Sequence, residues 1–410
     1  MTDTVKKVRL ANVLKQYRIE HWINNDTVYK QVTITKDGNV FVRGEKRGYE
    51  IGRKRQFIID LEKYPKTLLF IRQTIWDGGI GMATQEVHNC IVTENFPMFV
   101  VLENVLPEFL HLYFRTNDFA IKLSQIKISG SAQKAIHERD FLDIEINLPS
   151  LTVQKQIVEK LQKQQETHRQ ALKTIAELKT DLKALRQSLL QEAISGKLTN
   201  SNSAGFVQHP NTPFPIPKHW EWKKLGEIGN LARGKSKNRP RNDPKLFQNG
   251  IYPFVQTGDI ARAEMYVNTY SQMYNDIGLA QSKIWQKGTL CITIAANIAK
   301  CAILNFESCF PDSVVGFVSN EITTKYIYYF IVFFEKYIDN MATEAVQKNI
   351  NLDVLLNLKT PLPPLSEQVL IVEKVEKEMA SISQSEKELA SLQADVDLYW
   401  RSVLQSAFRF

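Results

Sequence analysis

Two long stretches of the chain carry apolar residues at helical spacing, with polar residues between them. Residues 153–194 contain no proline or glycine, and apolar positions recur in steps of three, four and seven. In the first stretch they are Val153, Ile157, Leu161, Leu172, Ile175, Leu182, Leu185 and Leu189. In the second they are Val375, Met379, Ile382, Leu389, Leu392, Val396, Tyr399 and Val403. This spacing is typical of coiled coils and predicts rods of about 42 residues, roughly 60 Å long.

The two stretches belong to an internal repeat with a shift of 214 residues. Residues 148–154 (LPSLTVQ) match 362–368 (LPPLSEQ), and the following IVEK at 157–160 is identical to 371–374. The register holds without a gap to the end of each stretch. We call 148–158 and 362–372 the two anchors of the repeat, and most of the sequence that precedes each anchor differs strongly between the halves. We therefore predict a duplicated module that kept its helix while the domain preceding it diverged.

The anchors also set the predicted domain boundaries. A weaker match, between LANV at 10–13 and LGEI at 225–228, lies near the start of each half. The predicted order is a first domain at 1–147, a helix at 148–198, a polar linker at 199–217, a second domain at 218–361 and a second helix at 362–410.

Each domain is predicted to be a small mixed structure of strands and helices. Strand-like runs are QFIID at 56–60, LLFIR at 68–72 and LCITI at 290–294, and short helices are expected near 107–115 and 323–334. A homodimer zipper would bury the apolar stripe of the helices, but two copies of equal length favour pairing within one chain. Because the linker must return, we expect antiparallel pairing. The fold class is α+β: two small domains separated by two long antiparallel coiled-coil helices, with approximate two-fold symmetry.

Composition narrows the class of protein without identifying it. Hydrophobic content of 43% supports ordinary cores, and the net charge of +8 is compatible with a polyanionic partner. The four cysteines lack C-x-x-C spacing and suit a reducing cytoplasm. The polar start MTDTVKKVRL is no signal peptide, and the apolar run at 326–334 (YIYYFIVFF) is too short to span a bilayer. We expect a cytoplasmic protein without a membrane partner.

One segment of the second domain matches a phosphate-binding loop literally. Residues 229–236 (GNLARGKS) fit G-x-x-x-x-G-K-[ST]. Such a loop needs a helix that begins at the lysine, but two prolines, Pro240 and Pro244, follow without apolar periodicity. The pattern is therefore a poor candidate for an ATP site.

The same segment is a better candidate for contacts to nucleic acid. Five cations lie within nine residues and suit phosphate or guanine contacts: Arg233, Lys235, Lys237, Arg239 and Arg241. The alternative is a solvated basic loop. Gln256, followed by Thr257, is the right type of residue to pair with adenine, but it would equally serve as the cap of a turn.

The first domain carries a comparable basic cluster, whose spacing suggests a strand, a turn and a strand. Its members are Arg43, Lys46, Arg47, Arg53, Lys54 and Arg55. A solvated face explains them equally well. The nearby GGIG at 78–81 is read as a tight turn. The seven histidines lack ligand spacing, and no nucleophile elbow, H-E-x-x-H or methyltransferase N-P-P-Y-type motif is present. We expect no catalytic, metal or cofactor site in this chain.

The layout resembles the specificity subunit of Type I restriction–modification systems. The residues that carry the resemblance are the two anchors 148–158 and 362–372, the helix end LQEAISGKL at 190–198, and the restart PIPKHWEWKKL at 215–225. It covers essentially the whole chain, and two copies in fixed order are specific. The first domain lacks the W-x-W-x-x-L opening.

The resemblance implies two target-recognition domains, each reading one half of a bipartite, asymmetric site in double-stranded DNA. The helices would set the gap and dock two modification subunits that bind S-adenosylmethionine and methylate adenine. Restriction subunits, with ATP and Mg²⁺, would complete a nuclease. Two other interpretations stay open: a P-loop ATPase with a coiled-coil arm, and a structural coiled-coil adaptor.

Overall fold

The computed structural model describes residues 5–126, 135–199, 205–237, 240–295, 298–344 and 351–410. The chain forms two units: Met1–Ala176 with Ala390–Phe410, and Glu177–Leu389. Arg239, which the sequence predicts to contact nucleic acid, lies outside the described residues, as does its neighbour Asn238.

The first unit contains eleven strands among its described residues, together with helices α1 to α3 and the first part of α4. The strands are β1 Lys6–Arg9, β2 Leu14–Tyr17, β3 Glu20–Trp22, β4 Val28–Ile34, β5 Val40–Arg47, β6 Arg55–Ile58, β7 Thr67–Phe70, β8 Ile80–Met82, β9 Ile91–Val92, β10 Met98–Val101 and β11 Glu145–Leu148. The helices are α1 Pro107–Tyr113, α2 Asn117–Ser124, α3 Glu138–Leu142 and α4 Leu151–Ser195.

Two sheets form the body of the first unit. A five-stranded sheet has the order β3-β6-β9-β4-β5, and a four-stranded sheet has the order β2-β10-β7-β8. Alternating side chains of β7 pack to opposite sides: Leu69 enters the core shared with the five-stranded sheet, while Leu68 and Phe70 enter the core that α1 to α3 cover. Period-two alternation of buried residues is what a strand covered on both faces requires.

The second unit has the remaining strands and helices of the described residues. The strands are β12 Phe206–Val207, β13 Ile216–Pro217, β14 Glu221–Lys224, β15 Asn230–Arg233, β16 Tyr252–Phe254, β17 Tyr266–Val267, β18 Gln272–Tyr274, β19 Leu290–Thr293, β20 Cys301–Leu304, β21 Val314–Val318 and β22 Lys359–Leu362. The helices are α5 Leu225–Ile228, α6 Thr257–Arg262, α7 Asp276–Ala280, α8 Thr324–Glu344, α9 Leu352–Leu356 and α10 Leu365–Ala407. The part of α10 from Ala390 onward belongs to the first unit, and the part of α4 from Glu177 onward belongs to the second.

A five-stranded sheet of order β15-β21-β19-β20-β17 is the centre of the second unit. One face packs against α8, whose apolar run from Tyr326 onward is buried as predicted. The other face packs against Trp285 and Phe310, which stack with 4.8 Å between ring centroids. No helix in the described part of the chain is long and apolar enough to cross a membrane.

The predicted helices and the strand-like runs are present, and the repeat is visible in three dimensions. Helix α4 begins two residues before the predicted stretch and ends at Ser195, where Gly196 adopts a left-handed φ of +81°. Strand β1 pairs antiparallel with β11, and β14 pairs in the same way with β22. The weakly matching segments 10–13 and 225–228 each contain a short helical turn, which follows β1 in the first unit and β14 in the second.

The long helices run antiparallel to each other within each unit. In the first unit Val158 and Leu161 of α4 share a core with Leu404, near the end of α10, and His168 bonds to Asp397 at 3.0 Å. The chain is therefore an α+β protein with an internal repeat and antiparallel long helices.

The second unit shows the same direction of pairing. Leu190 and Ile194, at the end of α4, share a core with Ile371 near the start of α10, and Arg186 pairs with Glu386 at 3.0 Å. The end of each long helix thus belongs to a globular core. This explains why the repeat register extends to Ile194 and its counterpart Phe408, which is buried in the first unit.

Candidate nucleic-acid interface

The basic cluster of the first unit lies on an edge strand, a turn and a second strand. Arg43, Lys46 and Arg47 belong to β5, which ends the sheet order on one side, and Arg55 begins β6. A short 3-10 turn, Gly48–Glu50, follows β5. Strands β5 and β6 are not neighbours in the sheet, so the predicted strand–turn–strand is not a hairpin.

Three cations of this cluster are held by other groups of the protein. Arg53 forms an ion pair with Glu94, and Arg55 forms one with Glu20. The hydrogen bond from Arg53 lowers the pKa of the Glu94 carboxyl, and the hydrogen bond to Glu20 raises the pKa of Arg55. Lys54 donates to the side chain of Asn25 and to the carbonyl of Gly48, both at 2.7 Å. Lys54 therefore joins two turns.

The other cations of the cluster are less constrained. Lys46 and Arg47 are exposed and form no ion pair with a described residue. Arg43 makes one long hydrogen bond, 3.4 Å, to Gln31. These three residues of one edge strand are the cations of the cluster that remain most available to a polyanion.

Two exposed aromatic side chains border this cluster, and sequence reasoning missed them. Trp22 is 69% exposed and Tyr49 is 65% exposed. Trp22 lies opposite Arg55 in the pairing of β3 with β6, and the N–H of Tyr49 bonds to the carbonyl of Asn25. The available signal was an aromatic residue among polar neighbours, as in EHWINND at 20–26. An exposed aromatic ring beside cations supplies apolar contact surface next to groups that suit phosphate contacts.

The basic segment of the second unit is extended and alternates in exposure. Arg233, Lys235 and Lys237 are exposed, while Gly234 and Ser236 between them are buried. A side chain at Gly234 would lie 2.1 Å from the carbonyl oxygen of Phe310, so only glycine permits this close approach.

Hydrogen bonds fix the backbone of this segment to the body of the unit. The N–H of Lys235 bonds to the carbonyl of Phe310 at 3.1 Å, and the hydroxyl of Ser282 donates to the carbonyl of Lys235 at 2.8 Å. The segment therefore presents its cations from a rigid base. Arg241 differs from them because it forms an ion pair with Asp312 at 2.8 Å.

Gln256 and Thr257 lie at the start of α6. Gln256 is the residue before the helix, and its N–H bonds to the carboxylate of Asp259 at 2.9 Å. Its side-chain amide donates to Gln272 at 2.7 Å. Asp259 is buried and also receives a hydrogen bond from Arg262. Gln256 thus occupies the capping position that sequence reasoning left open beside base contact, and its amide group is only partly engaged.

The segment that matched the phosphate-binding loop has a different structure. Residues 230–233 form β15, which pairs with β21 in the central sheet. Within the described residues, no helix begins at Lys235, and Pro240 to Asn242 form a turn. A strand in the middle of the motif cannot wrap its N–H groups around a phosphate, so the geometry gives no support to the ATPase interpretation.

The described residues contain no cluster of three or more histidine, cysteine or acidic side chains able to hold a metal ion. All four cysteines are buried and free. Burial raises the pKa of the Cys291 and Cys301 thiols far above the usual range, which keeps them protonated and unreactive.

Exposed apolar residues on the long helices repeat at the same shift as the sequence. Leu178 and Leu185 of α4, in the second unit, are exposed and seven residues apart. Their counterparts by the shift of 214 are Leu392 and Tyr399 of α10, in the first unit, which are also exposed. Residues seven apart share one helix face, so each unit carries an equivalent apolar strip.

Comparison with known proteins gives consistent results. Residues 6–180 and 217–394 match the family described as Type I restriction modification DNA specificity domain. The chain is 28% identical over 332 residues to the EcoDI Type I restriction enzyme specificity subunit of Escherichia coli, covering 75% of this chain and 71% of that protein. It is 27% identical over 297 residues to the EcoBI specificity subunit of Escherichia coli, covering 68% of this chain and 61% of that protein.

Solved structures show the same fold. One is a chain from a study of complex assembly and conformational transition of the type I R-M system, with a TM-score of 0.76, 21% identity and coverage of 100% of this chain and 98% of that one. Another is the HsdS subunit from Thermoanaerobacter tengcongensis, with a TM-score of 0.60, 22% identity and coverage of 99% and 96%.

Proposed function

The chain belongs to the family of Type I restriction–modification DNA specificity subunits, and on this premise we propose that each of its units reads one half of a bipartite DNA site. A specificity subunit determines which DNA sequence the system recognises, while methylation and cleavage are carried out by the other subunits of the complex.

One observation carries the proposal: the two units share buried anchoring residues at the starts of the long helices, but their globular parts differ in the exposed side chains. Gln154 and Gln368 are both fully buried and make equivalent hydrogen bonds. The exposed side chains differ, with Trp22 and Tyr49 beside cations in one unit and a lysine-rich segment in the other. A shared scaffold with different surfaces suits two readers of different sequences.

In the first unit we assign the DNA contact to the edge strand β5 and the turns beside it. Lys46 and Arg47, together with the weakly bonded Arg43, are the available cations, and Trp22 and Tyr49 supply flat apolar surface. Arg53 and Arg55 are neutralised by carboxylates, so their contribution to phosphate binding requires an ion pair to open. We expect them to contribute less than Lys46 and Arg47.

In the second unit we assign the contact to the segment from Arg233 to Lys237. Its three exposed cations project from a backbone that is hydrogen-bonded to the core. Phosphate contacts of this kind orient a protein on DNA without reading sequence, and base contacts supply the specificity. Gln256 is a candidate for such a base contact because its amide oxygen can still accept a hydrogen bond.

We assign the two repeated apolar strips, Leu178 with Leu185 and Leu392 with Tyr399, to two modification subunits. Equivalent strips at the same position of a repeat would bind two copies of one partner. The proposal places S-adenosylmethionine on those subunits, and ATP and Mg²⁺ on restriction subunits. Because its substrate is double-stranded DNA, the complex would act in the cytoplasm. The helices would set the gap between the half-sites.

Binding by the complex of the chain with its modification subunits tests this function. The bipartite site is found from the methylated positions of the host genome, and duplexes are made with each half-site scrambled in turn. We expect Lys46→Gln with Arg47→Gln to weaken binding to the intact site. In that variant, scrambling the second half-site should still weaken binding by the same factor as in the wild type. Equal binding of intact and scrambled duplexes by the wild-type complex would contradict the function itself.

A further inference from the structure

Two isoleucines of the second unit are exposed beside its basic segment. Ile251 is 62% exposed and Ile277 is 60% exposed. Neither belongs to a long helix or to the apolar strips described above. Single exposed apolar residues are common on protein surfaces, so their meaning depends on how they are held and on what surrounds them.

The two isoleucines lie on turns that are bonded to each other. The N–H of Ile251 bonds to the carbonyl of Tyr274 at 2.9 Å. The hydroxyl of Tyr252, the next residue, donates to the carboxylate of Asp276 at 3.1 Å, and Ile277 follows Asp276 directly. The two bonded turns, with Ile251 and Ile277 as exposed apolar residues, form one continuous surface.

A small aromatic core supports this surface. Phe254 and Tyr274 pack with 4.1 Å between ring centroids, and Phe247 lies 5.1 Å from Tyr274. Asn275 caps α7 by accepting a hydrogen bond from Gly278 and donates to the carbonyl of Lys245 at 2.9 Å. The turns that carry the isoleucines are therefore preorganised, as a reading element requires.

Cations surround the isoleucine pair. Exposed lysines lie on the segments bonded to this surface, and within the described residues they form no ion pair: Lys235, Lys237, Lys245 and Lys283. The basic segment is in contact with this surface because Ser282, soon after α7, donates to the carbonyl of Lys235.

The carboxylates of these segments are already engaged by the protein. Asp243 accepts from the N–H of Lys245 at 3.0 Å, Asp276 accepts from Tyr252, and Asp312 pairs with Arg241. Asp243 and Asp276 keep their charge, whereas Arg241 neutralises Asp312. The four lysines outnumber those two carboxylates, so the charge around the isoleucines still favours a polyanion.

Resting on the proposed function, we propose that Ile251 and Ile277 form an apolar contact to the C5-methyl group of a thymine in the second half-site. In the major groove the thymine methyl is the apolar group by which a base pair is recognised, and aliphatic side chains suit it. Lysines around the pair hold the flanking phosphates and set the depth of insertion. Specificity at this base pair then comes from shape and desolvation rather than from hydrogen bonds.

Deoxyuridine tests this directly because it pairs as thymine does but lacks the methyl group. The chain assembled with its modification subunits is bound to duplexes in which each thymine of the second half-site, on either strand, is replaced in turn. We expect one replacement to weaken wild-type binding about fourfold, the factor that burial of one methyl-sized group contributes. In Ile251→Ala with Ile277→Ala the same replacement should have no further effect.

Ile121→Ala is the matched control, since Ile121 is an isoleucine of α2 in the first unit that is 56% exposed. It should keep the full sensitivity to deoxyuridine. The proposal is overturned if the second half-site contains no thymine, if wild-type binding ignores every replacement, or if the double variant keeps its sensitivity. Loss of assembly with modification subunits in the double variant would also overturn it, by assigning the pair to a protein contact. Failure of the proposed function is distinct, because the wild-type complex would then show no sequence preference at all.

Discussion

Gln154 and Gln368, 214 residues apart, make equivalent hydrogen bonds at the starts of the two long helices. The side-chain oxygen of Gln154 accepts from the N–H of Leu106 at 2.9 Å. Its amide group donates to the carbonyls of Pro149 at 2.9 Å and Asn104 at 3.5 Å. The side chain is fully buried, so it fixes the start of α4 to the segment that enters α1.

Gln368 does the same in the second unit. It accepts from the N–H of Thr323 at 2.7 Å and donates to the carbonyls of Pro363 at 2.9 Å and Glu321 at 3.2 Å. All partners of both glutamines are backbone groups. The partner segments can therefore change in sequence without losing these bonds, which suits domains that must diverge.

Replacing either glutamine with alanine should destabilise its own unit by about 1–3 kcal/mol, because a buried N–H loses its partner. Hydrogen exchange read by mass spectrometry measures the loss separately in each unit. Gln170→Ala, at an exposed position of α4, should change stability by no more than about 0.5 kcal/mol. A loss shared equally by both units in Gln154→Ala would show that the bonds are not local anchors.

His111 should make the first unit sensitive to acid. Burial and, to a smaller extent, the nearby Arg115 guanidinium together lower its pKa from 6.5 to about 4. Between these two pH values the unfolded chain binds a proton that the folded unit excludes, so the free energy of unfolding falls as the pH falls. The loss from pH 6.5 to 4 is on the order of 3 kcal/mol.

The measurement is the free energy of unfolding of the first unit, followed by its hydrogen exchange in increasing urea at several pH values. His111→Gln should flatten the pH dependence, and His137→Gln, at an exposed position, should leave it as in the wild type. An unchanged slope in His111→Gln would refute the assignment to this histidine.

The available cations should dominate the salt dependence of DNA binding. Lys235→Gln and Lys237→Gln should each reduce the slope of log K against log salt by about one unit if each contacts one phosphate. Arg241→Gln should reduce it less, because Asp312 already neutralises that guanidinium. Binding of the assembled complex across a salt series measures the slopes. Slopes equal to that of the wild type in both lysine variants would leave the segment as solvated surface charge.

The length of the long helices should set the gap between half-sites. Removing one heptad from each, 171–177 and its counterpart 385–391, keeps the His168–Asp397 pair and both apolar strips, although it removes Glu386. The helices would shorten by about 10 Å, which corresponds to roughly three base pairs. Sequencing of methylated positions in cells that carry the variant reads the new gap. An unchanged gap in an active variant would rule out the spacer role.

The long helices were predictable because their periodicity is local to the sequence. The predicted stretch from Val153 to Ile194 differs from α4 by two residues at the start and one at the end. The boundaries of the globular cores were harder to predict. Phe408, near the end of the chain, packs against Phe109 with 5.1 Å between the ring centroids. No local sequence pattern predicts a contact between residues 299 positions apart.

The candidate site was only partly predictable for the same reason. The basic clusters are visible in sequence, but ion pairing depends on the tertiary fold. Glu94 and Glu20 are distant in sequence from Arg53 and Arg55, and the sheet brings them together. Exposure of Trp22 likewise cannot be inferred from composition, since tryptophan is usually buried to a large extent.

Exchange of the second domain tests the central claim that the units read separate half-sites. Residues 218–361 are replaced by the equivalent domain of a relative, while Leu190, Ile194 and Ile371 of the long helices are kept because they belong to the core of that unit. Long-read sequencing of methylated adenines in cells carrying the hybrid complex gives the recognised site. We predict that one half-site changes while the other half-site and the gap stay the same; a change in both half-sites, or in neither, would contradict the account.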